Sequence, residues 1–269
     1  MDVTAIFDDP APIIGMVHLP PLPGAPGFDG DRTHLRERAR SDAAALDGGG
    51  VDGIIVENFG DAPFHPATVP NHVVASMTDI ARVVTAAVDR PVGVNVLRND
   101  AAAAIGIAAA VGAPFVRVNV HTGARVTDQG VIEGRAHETM RLRERLDADV
   151  AVLADVDVKH SAPLATDAPG LDPVVETVDR GLADGVIVSG THTGAATDPA
   201  AVAGVADRVA DAGLDVPVFV GSGVTPDTVA DLLDVADGVI VGTALKVDGE
   251  TTNPVDRDRV AALVDAARG

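Results

Sequence analysis

Cysteine, tryptophan and tyrosine are absent from the 269 residues, and phenylalanine occurs only six times. Without cysteine there are no disulfides and no thiolate metal sites; compartment does not follow from that absence. So few aromatic rings argue against a stacking platform for bases or sugars. Basic charge is scarce as well: 20 Lys and Arg stand against 40 Asp and Glu, a formal net charge of -20. A nucleic-acid partner needs a basic footprint, so none is expected. No uninterrupted apolar run approaches the ~20 residues that cross a bilayer. The opening MDVTAIFDDPAPIIG lacks the basic-then-apolar order of a signal peptide. A soluble, cytoplasmic, enzyme-sized domain with no transmembrane segment is the expectation.

Lysine is the scarcest charged residue. Lys159 and Lys246 are the only two, and 33 of the 40 acidic residues are aspartate. Arginine far above lysine, with an acidic excess, reads as adaptation to molar salt. There the Debye length is roughly 3 Å and self-repulsion is screened, while the charge keeps the surface hydrated. Both retained lysines fall at or just past the end of a strand-like run, VAVLADVDVK and GVIVGTALK.

Short Val- and Ile-rich runs recur at 13–19, 53–59, 91–97, 115–120, 150–158, 185–190, 216–224 and 238–245. Near-continuous apolar strands indicate a parallel sheet buried on both faces. Helical stretches alternate with them at 33–47, 71–88, 100–111, 135–147, 173–183, 199–212, 226–235 and 255–267. Pro or Asp opens several and Gly closes others, as at Gly48 and Gly112. Eight such units predict one α/β domain over 1–269, a (β/α)8 TIM barrel. The alternative, a doubly wound open sheet, carries a GxGxxG turn after its first strand, and the chain has none. Irregular stretches at 20–32, 60–69, 121–133 and 160–171 each follow a run, so all belong to the catalytic face.

Alternation along the fifth run puts Asp155, Asp157 and Lys159 on one side, toward the barrel interior near its mouth. The fourth run repeats the pattern with Arg117, Asn119 and His121. The third adds Asn95, the second Glu57 and Asn58, and the first His18. Buried charges must be paired or bound, so the plain alternative is a self-satisfied network such as Asp155 with Arg117. The segment 18–30 reads as a stiff Pro-rich loop that places His18. GSGV after the seventh run and GTALK after the eighth suggest a phosphate site. Gly221, Ser222, Gly223, Gly242 and Thr243 would supply it, with Lys246 as a point charge; the alternative is that these glycines merely permit tight turns. His192, in SGTHTGAATD after the sixth run, is an acid/base candidate. Glu57, Asp155 and Asp157 are hard ligands suited to Mg2+ or Mn2+, with His18 or His192 able to join. No HxH or HExxH spacing supports zinc, and no organic cofactor is indicated.

IIGMVHLPPLPGAPGF, GVDGIIVENFGDAPF, VLADVDVKHSAPL, DGVIVSGTHTGAATD and PVFVGSGVTPDTV together resemble the BtpA/SgcQ family, over residues 12 to about 246. The resemblance implies a TIM-barrel-like fold, and the composition suggests a haloarchaeal-type member. The family takes its name from a cyanobacterial protein linked to photosystem I accumulation. Other members occur without photosystems, one in association with a sugar-uptake operon, so the name says little about a reaction.

The expected function is an enzyme acting on a small phosphorylated metabolite, a sugar or nucleoside phosphate, by isomerase, lyase or glycosyl-transfer chemistry. Asp155, Asp157, Glu57 and Lys159 would move protons. A Schiff base at Lys159 needs a depressed pKa, which neighbouring aspartates oppose. The competing reading is a non-catalytic photosystem or complex assembly factor. A homo-oligomer is compatible with either.

Overall fold

The Val- and Ile-rich runs form eight parallel strands: β1 (Ile13–His18), β2 (Gly53–Glu57), β3 (Val92–Asn95), β4 (Phe115–Val118), β7 (Ala151–Asp155), β9 (Gly185–Val188), β10 (Val218–Val220) and β11 (Gly238–Val241). All are buried on both faces, as a sheet wrapped by helices requires. They close in the order β1-β11-β10-β9-β7-β4-β3-β2, which confirms the predicted barrel. The computed structural model describes residues 3–156, 158–164, 172–190 and 196–269.

Period-two alternation sorts each strand into two layers. Ile14, Met16, Ile55, Phe115, Leu153, Ile187, Phe219 and Ile240 pack together inside the barrel. Val17, Val56, Val94, Val116, Val152 and Val186 face the helices. Phe7 enters from the N-terminal end, its ring edge-on to Phe115 at 5.5 Å. Phe115 and Phe219 are fully buried; truncating either to alanine would cost about 3–5 kcal/mol. The same parity places His18, Glu57, Asn95, Arg117 and Asp155 inward, at the C-terminal ends of their strands. The polar ring is thus the top layer of an otherwise apolar interior.

The surrounding helices are α1 (Arg32–Gly49), α2 (Asn71–Thr85), α3 (Ala101–Val111), α4 (Ala136–Arg145), α5 (Pro173–Val175), α6 (Pro199–Asp211), α7 (Val229–Leu233) and α8 (Arg257–Arg268). Aspartate starts five of them: Asp31, Asp100, Asp172, Asp198 and Asp256 accept from backbone amides of the first turn. Such caps satisfy N–H groups that a helix start otherwise leaves unpaired, a structural use for part of the aspartate excess. Gly50 and Gly112 end α1 and α3 in the left-handed conformation, so the first stop lies two residues beyond the expected Gly48. The fifth helix passes into a π-helical turn, Glu176–Arg180.

Two stretches expected to be irregular carry strands. β5 (Ala124–Thr127) and β6 (Gly130–Glu133) form a hairpin, and β8 (Ser161–Pro163) adds antiparallel to β5. Ile132 anchors this small sheet by packing with Val120 and Val158. Its other face exposes Val126 and Val131, so burial alternates over too few residues to announce strands in the sequence.

Candidate active site

A cavity of about 570 Å³ opens at the C-terminal mouth of the barrel. His18, Glu57, Arg117, Asn119 and Lys159 line it, together with Gly221, Ser222, Gly223, Gly242 and Thr243. Each sits at the end of its barrel strand or in the loop beyond, where that side of the fold collects side chains from many elements.

The floor is a polar network centred on Asp155. Arg117 donates to it twice, Nε to Oδ2 at 3.0 Å and Nη2 to Oδ1 at 2.9 Å. Asn119 Nδ2 donates to Oδ2 at 3.0 Å and Ser189 Oγ to Oδ1 at 3.3 Å. Asn95 braces Asn119, its Nδ2 donating to Oδ1 at 3.2 Å. Burial alone would weaken the Arg117 charge, but the Asp155 carboxylate overrides it and holds the guanidinium above its ordinary pKa. Asp155 therefore has its oxygens taken; it and Asn95 lie beneath the cavity wall, and Asn95 keeps its Oδ1 buried without a partner. Both had been expected to act on substrate, and the self-satisfied pair with Arg117 describes Asp155 instead.

Above this floor stand groups with capacity to spare. His18 Nε2 lies 3.7 Å from Glu57 Oε1, and both side chains are buried. Burial, reinforced by the nearby positive charge of Lys246, pushes the His18 pKa well below its ordinary value, so the imidazole is neutral. Its Nδ1 is buried without a partner, and its ring packs on Phe59 with centroids 4.8 Å apart. Burial raises the Glu57 pKa, against the opposing pull of Arg117 and Lys159. Gly242 makes room for this pair: a Cβ there would fall 2.7 Å from His18 Cε1.

Lys159 reaches the cavity by a different route from the one expected. β7 ends at Asp155, and Lys159 follows in a turn, so no continuous strand register links the two. Its Nζ donates to the Gly221 carbonyl at 3.0 Å. No described carboxylate forms an ion pair with it, and burial followed by the Arg117 charge lowers its pKa to about 8. The expected effect of neighbouring aspartates, a raised pKa, is outweighed by desolvation.

Lys246 is the clear correction. It is 0% exposed and does not line the cavity. Its Nζ donates to the Met16 carbonyl at 2.9 Å and lies 3.7 Å from Asp42 Oδ2 on α1. The turn Thr243–Leu245 carries it under β1 rather than toward a ligand. His121, expected to share the interior face of Arg117 and Asn119, is likewise turned away from the cavity, its Nε2 bonded to the Gly181 carbonyl at 2.8 Å at the end of the fifth helix. Asn58 holds a loop in place, accepting from Leu97 N at 2.7 Å and donating to the Leu97 carbonyl. Asp157 and His192 lie outside the described residues.

Among the described residues no three His, Asp or Glu side chains converge as a metal site; with Asp155 committed to Arg117, Glu57 is the described member of the expected hard-ligand set that lines the cavity. Among the lining residues that escaped sequence reasoning are Arg98, Asp128 and His160. Arg98 directly follows the third apolar run, and that strand-end position was its available signal. Asp128 sits at the tip of the unforeseen hairpin.

Comparison with known proteins agrees with this architecture. A protein of Synechocystis sp., "Photosystem I biogenesis protein BtpA", is 48% identical over 99% of this chain and 91% of its own length. An uncharacterized protein of Thermococcus kodakarensis is 46% identical over 96% and 95%. Among solved structures, the thiamine phosphate pyrophosphorylase of Pyrococcus furiosus superposes with a TM-score of 0.57, at 13% identity over 96% of each chain, a likeness of fold. No helix among the described residues is long and apolar enough to cross a membrane. The BtpA family model matches residues 9–269, and this chain belongs to the BtpA family.

Proposed function

We propose that this chain is an enzyme acting on a small phosphorylated metabolite bound in the barrel mouth. One observation carries the reading: a single cavity joins a proton-transfer set, His18, Glu57 and Lys159, to two loops suited to an anion. Among the described residues the amides of Ser222, Gly223 and Thr243 donate no backbone hydrogen bond, and Gly223 holds a φ of 69° that favours glycine. Those amides are the phosphate subsite, acting through the backbone alone since Lys246 is elsewhere.

Glu57, its pKa raised by burial, serves as the group that gives and takes a proton. His18 is a neutral hydrogen-bonding partner beside it. Lys159 stabilises developing negative charge when protonated, and its depressed pKa also makes it a competent amine nucleophile. Proton transfer next to a carbonyl, as in isomerisation or aldol-type cleavage, fits these groups better than glycosyl transfer. A divalent cation at Glu57 remains compatible and forms one arm of the test. The acidic composition supports a cytoplasmic member adapted to high salt.

The test is a thermal-shift screen of phosphorylated metabolites in molar KCl, with and without Mg2+. Stabilisation by a phosphorylated compound but not by its dephosphorylated form supports the reading, and an inert response across the panel counts against it. A non-catalytic assembly factor is the second reading. The name of the Synechocystis relative suggests it, and the apolar face formed by Val126, Val131 and Leu164, 44–59% exposed, favours it. That reading predicts a mouth indifferent to metabolites.

A further inference from the structure

We propose that the mouth holds a second anion subsite, built on Arg98, and that the substrate is a phosphorylated metabolite carrying a carboxylate at the end remote from its phosphate. This deepens the function proposed above and rests on it.

Arg98 follows β3, and β3 stands four strands from β10 on either path around the eight-stranded ring. It therefore lies directly across the mouth from the Gly221–Gly223 loop. Both contribute to the wall of the same cavity. Arg98 is only 8% exposed. Its Nη2 donates to the Lys159 carbonyl at 2.5 Å, and its Nε is buried with no partner. Among the described residues Nη1 has no acceptor either, and no carboxylate forms an ion pair with this guanidinium. Burial accordingly weakens its charge, offset only by more distant acids, Asp128 first.

A buried arginine with unused donors is not explained by packing. Buried cations are normally paired, as Arg117 is with Asp155 on the same floor. A planar fork held by one hydrogen bond to a fixed carbonyl presents its remaining N–H groups in a set direction, which matches an incoming planar anion. One cation with one free edge balances a monoanion, so a carboxylate fits better than a second phosphate. Lys159 lies between the two subsites: its carbonyl holds Arg98 while its ammonium reaches Gly221. A ligand anchored at both ends would be stretched over that ammonium, which fixes its reacting carbon.

Calorimetric titration with three probes tests this: inorganic phosphate, glucitol 6-phosphate and 6-phosphogluconate, the last pair both open-chain and differing only in a terminal hydroxymethyl against a carboxylate. The wild-type protein should bind 6-phosphogluconate roughly 10- to 100-fold more tightly than glucitol 6-phosphate, the range of a charge-assisted hydrogen bond. Arg98→Met should erase that difference while leaving phosphate and glucitol 6-phosphate within about twofold. Arg98→Lys, which keeps the charge and loses the fork, should retain part of the preference and guards against misfolding of the first variant. Equal wild-type affinity for the two open-chain phosphates, or an Arg98→Met effect of the same size on both, overturns the second subsite alone. Failure of all three probes to bind overturns the phosphate reading and this one with it.

Discussion

Lys159 donates to the carbonyl oxygen of Gly221 at 3.0 Å, the residue that opens one of the two proposed phosphate loops. The ammonium of the lone pocket lysine is thus tethered to the rim of the anion site, and no described carboxylate forms an ion pair with it. A carbonyl partner fixes direction without neutralising charge, and burial is left to set the proton affinity.

Lys159 should therefore titrate near pH 8. An amine-acylating reagent is expected to modify it with a half-point near that pH, while the fully enclosed Lys246 stays unlabelled in the folded protein. A half-point near 10 would contradict the desolvated environment.

The same shift bears on stability. A folded-state pKa below the ordinary 10.5 means the unfolded chain binds more protons between pH 8 and 10.5, so this group's contribution to stability rises with pH across that window. Below pH 8 the folded protein carries the cost of the buried charge in full. Lys159→Met relieves it and should keep or raise the melting temperature at pH 7 while removing activity on any metabolite that the screen identifies. A loss of several degrees would show that the lysine is structural.

Asp155 and Arg117 should behave as a unit. Asp155→Ala leaves a buried guanidinium unpaired and should destabilise by about 3–5 kcal/mol, measured by urea unfolding. Replacing both together by Leu and Met should cost much less than the single change. Additive losses would mean that the pair is not the source of the effect.

Asp42 should matter more to folding than its place on an outer helix suggests. It accepts from Val255 N at 2.9 Å and Arg38 Nε at 3.0 Å and faces Lys246. Asp42→Ala strands the Lys246 ammonium and should cost roughly 3 kcal/mol. Lys246→Met should leave phosphate affinity unchanged, and a tenfold loss there would return Lys246 to the ligand site.

Salt dependence follows from the net charge of -20. The melting temperature should climb steeply as KCl is raised toward molar concentrations, where screening is strongest. Equal stability in dilute buffer would contradict salt adaptation.

The eight strands and their helices were legible because each strand is apolar on both faces and aspartate or glycine marks the turns. The inward set His18, Glu57, Asn95 and Arg117 was legible for the same reason, since period two carries a polar residue at a strand end into the interior. Direction beyond a strand end was not. Lys159 and Lys246 both follow apolar runs, yet one turns into the cavity and the other under β1, a choice made by the loops. Nor does alternation distinguish a residue on the cavity wall from one beneath it, and Asp155 was misjudged on that ground. Arg98 was passed over because its significance lies in what it fails to contact.

The most direct measurement is a crystal structure of the protein grown with inorganic phosphate. The anion should sit at the mouth, within hydrogen-bond distance of the amides of Ser222, Gly223 and Thr243. Phosphate bound elsewhere, with these amides blocked and the mouth empty, would contradict the central claim that this cavity is built for a phosphorylated substrate.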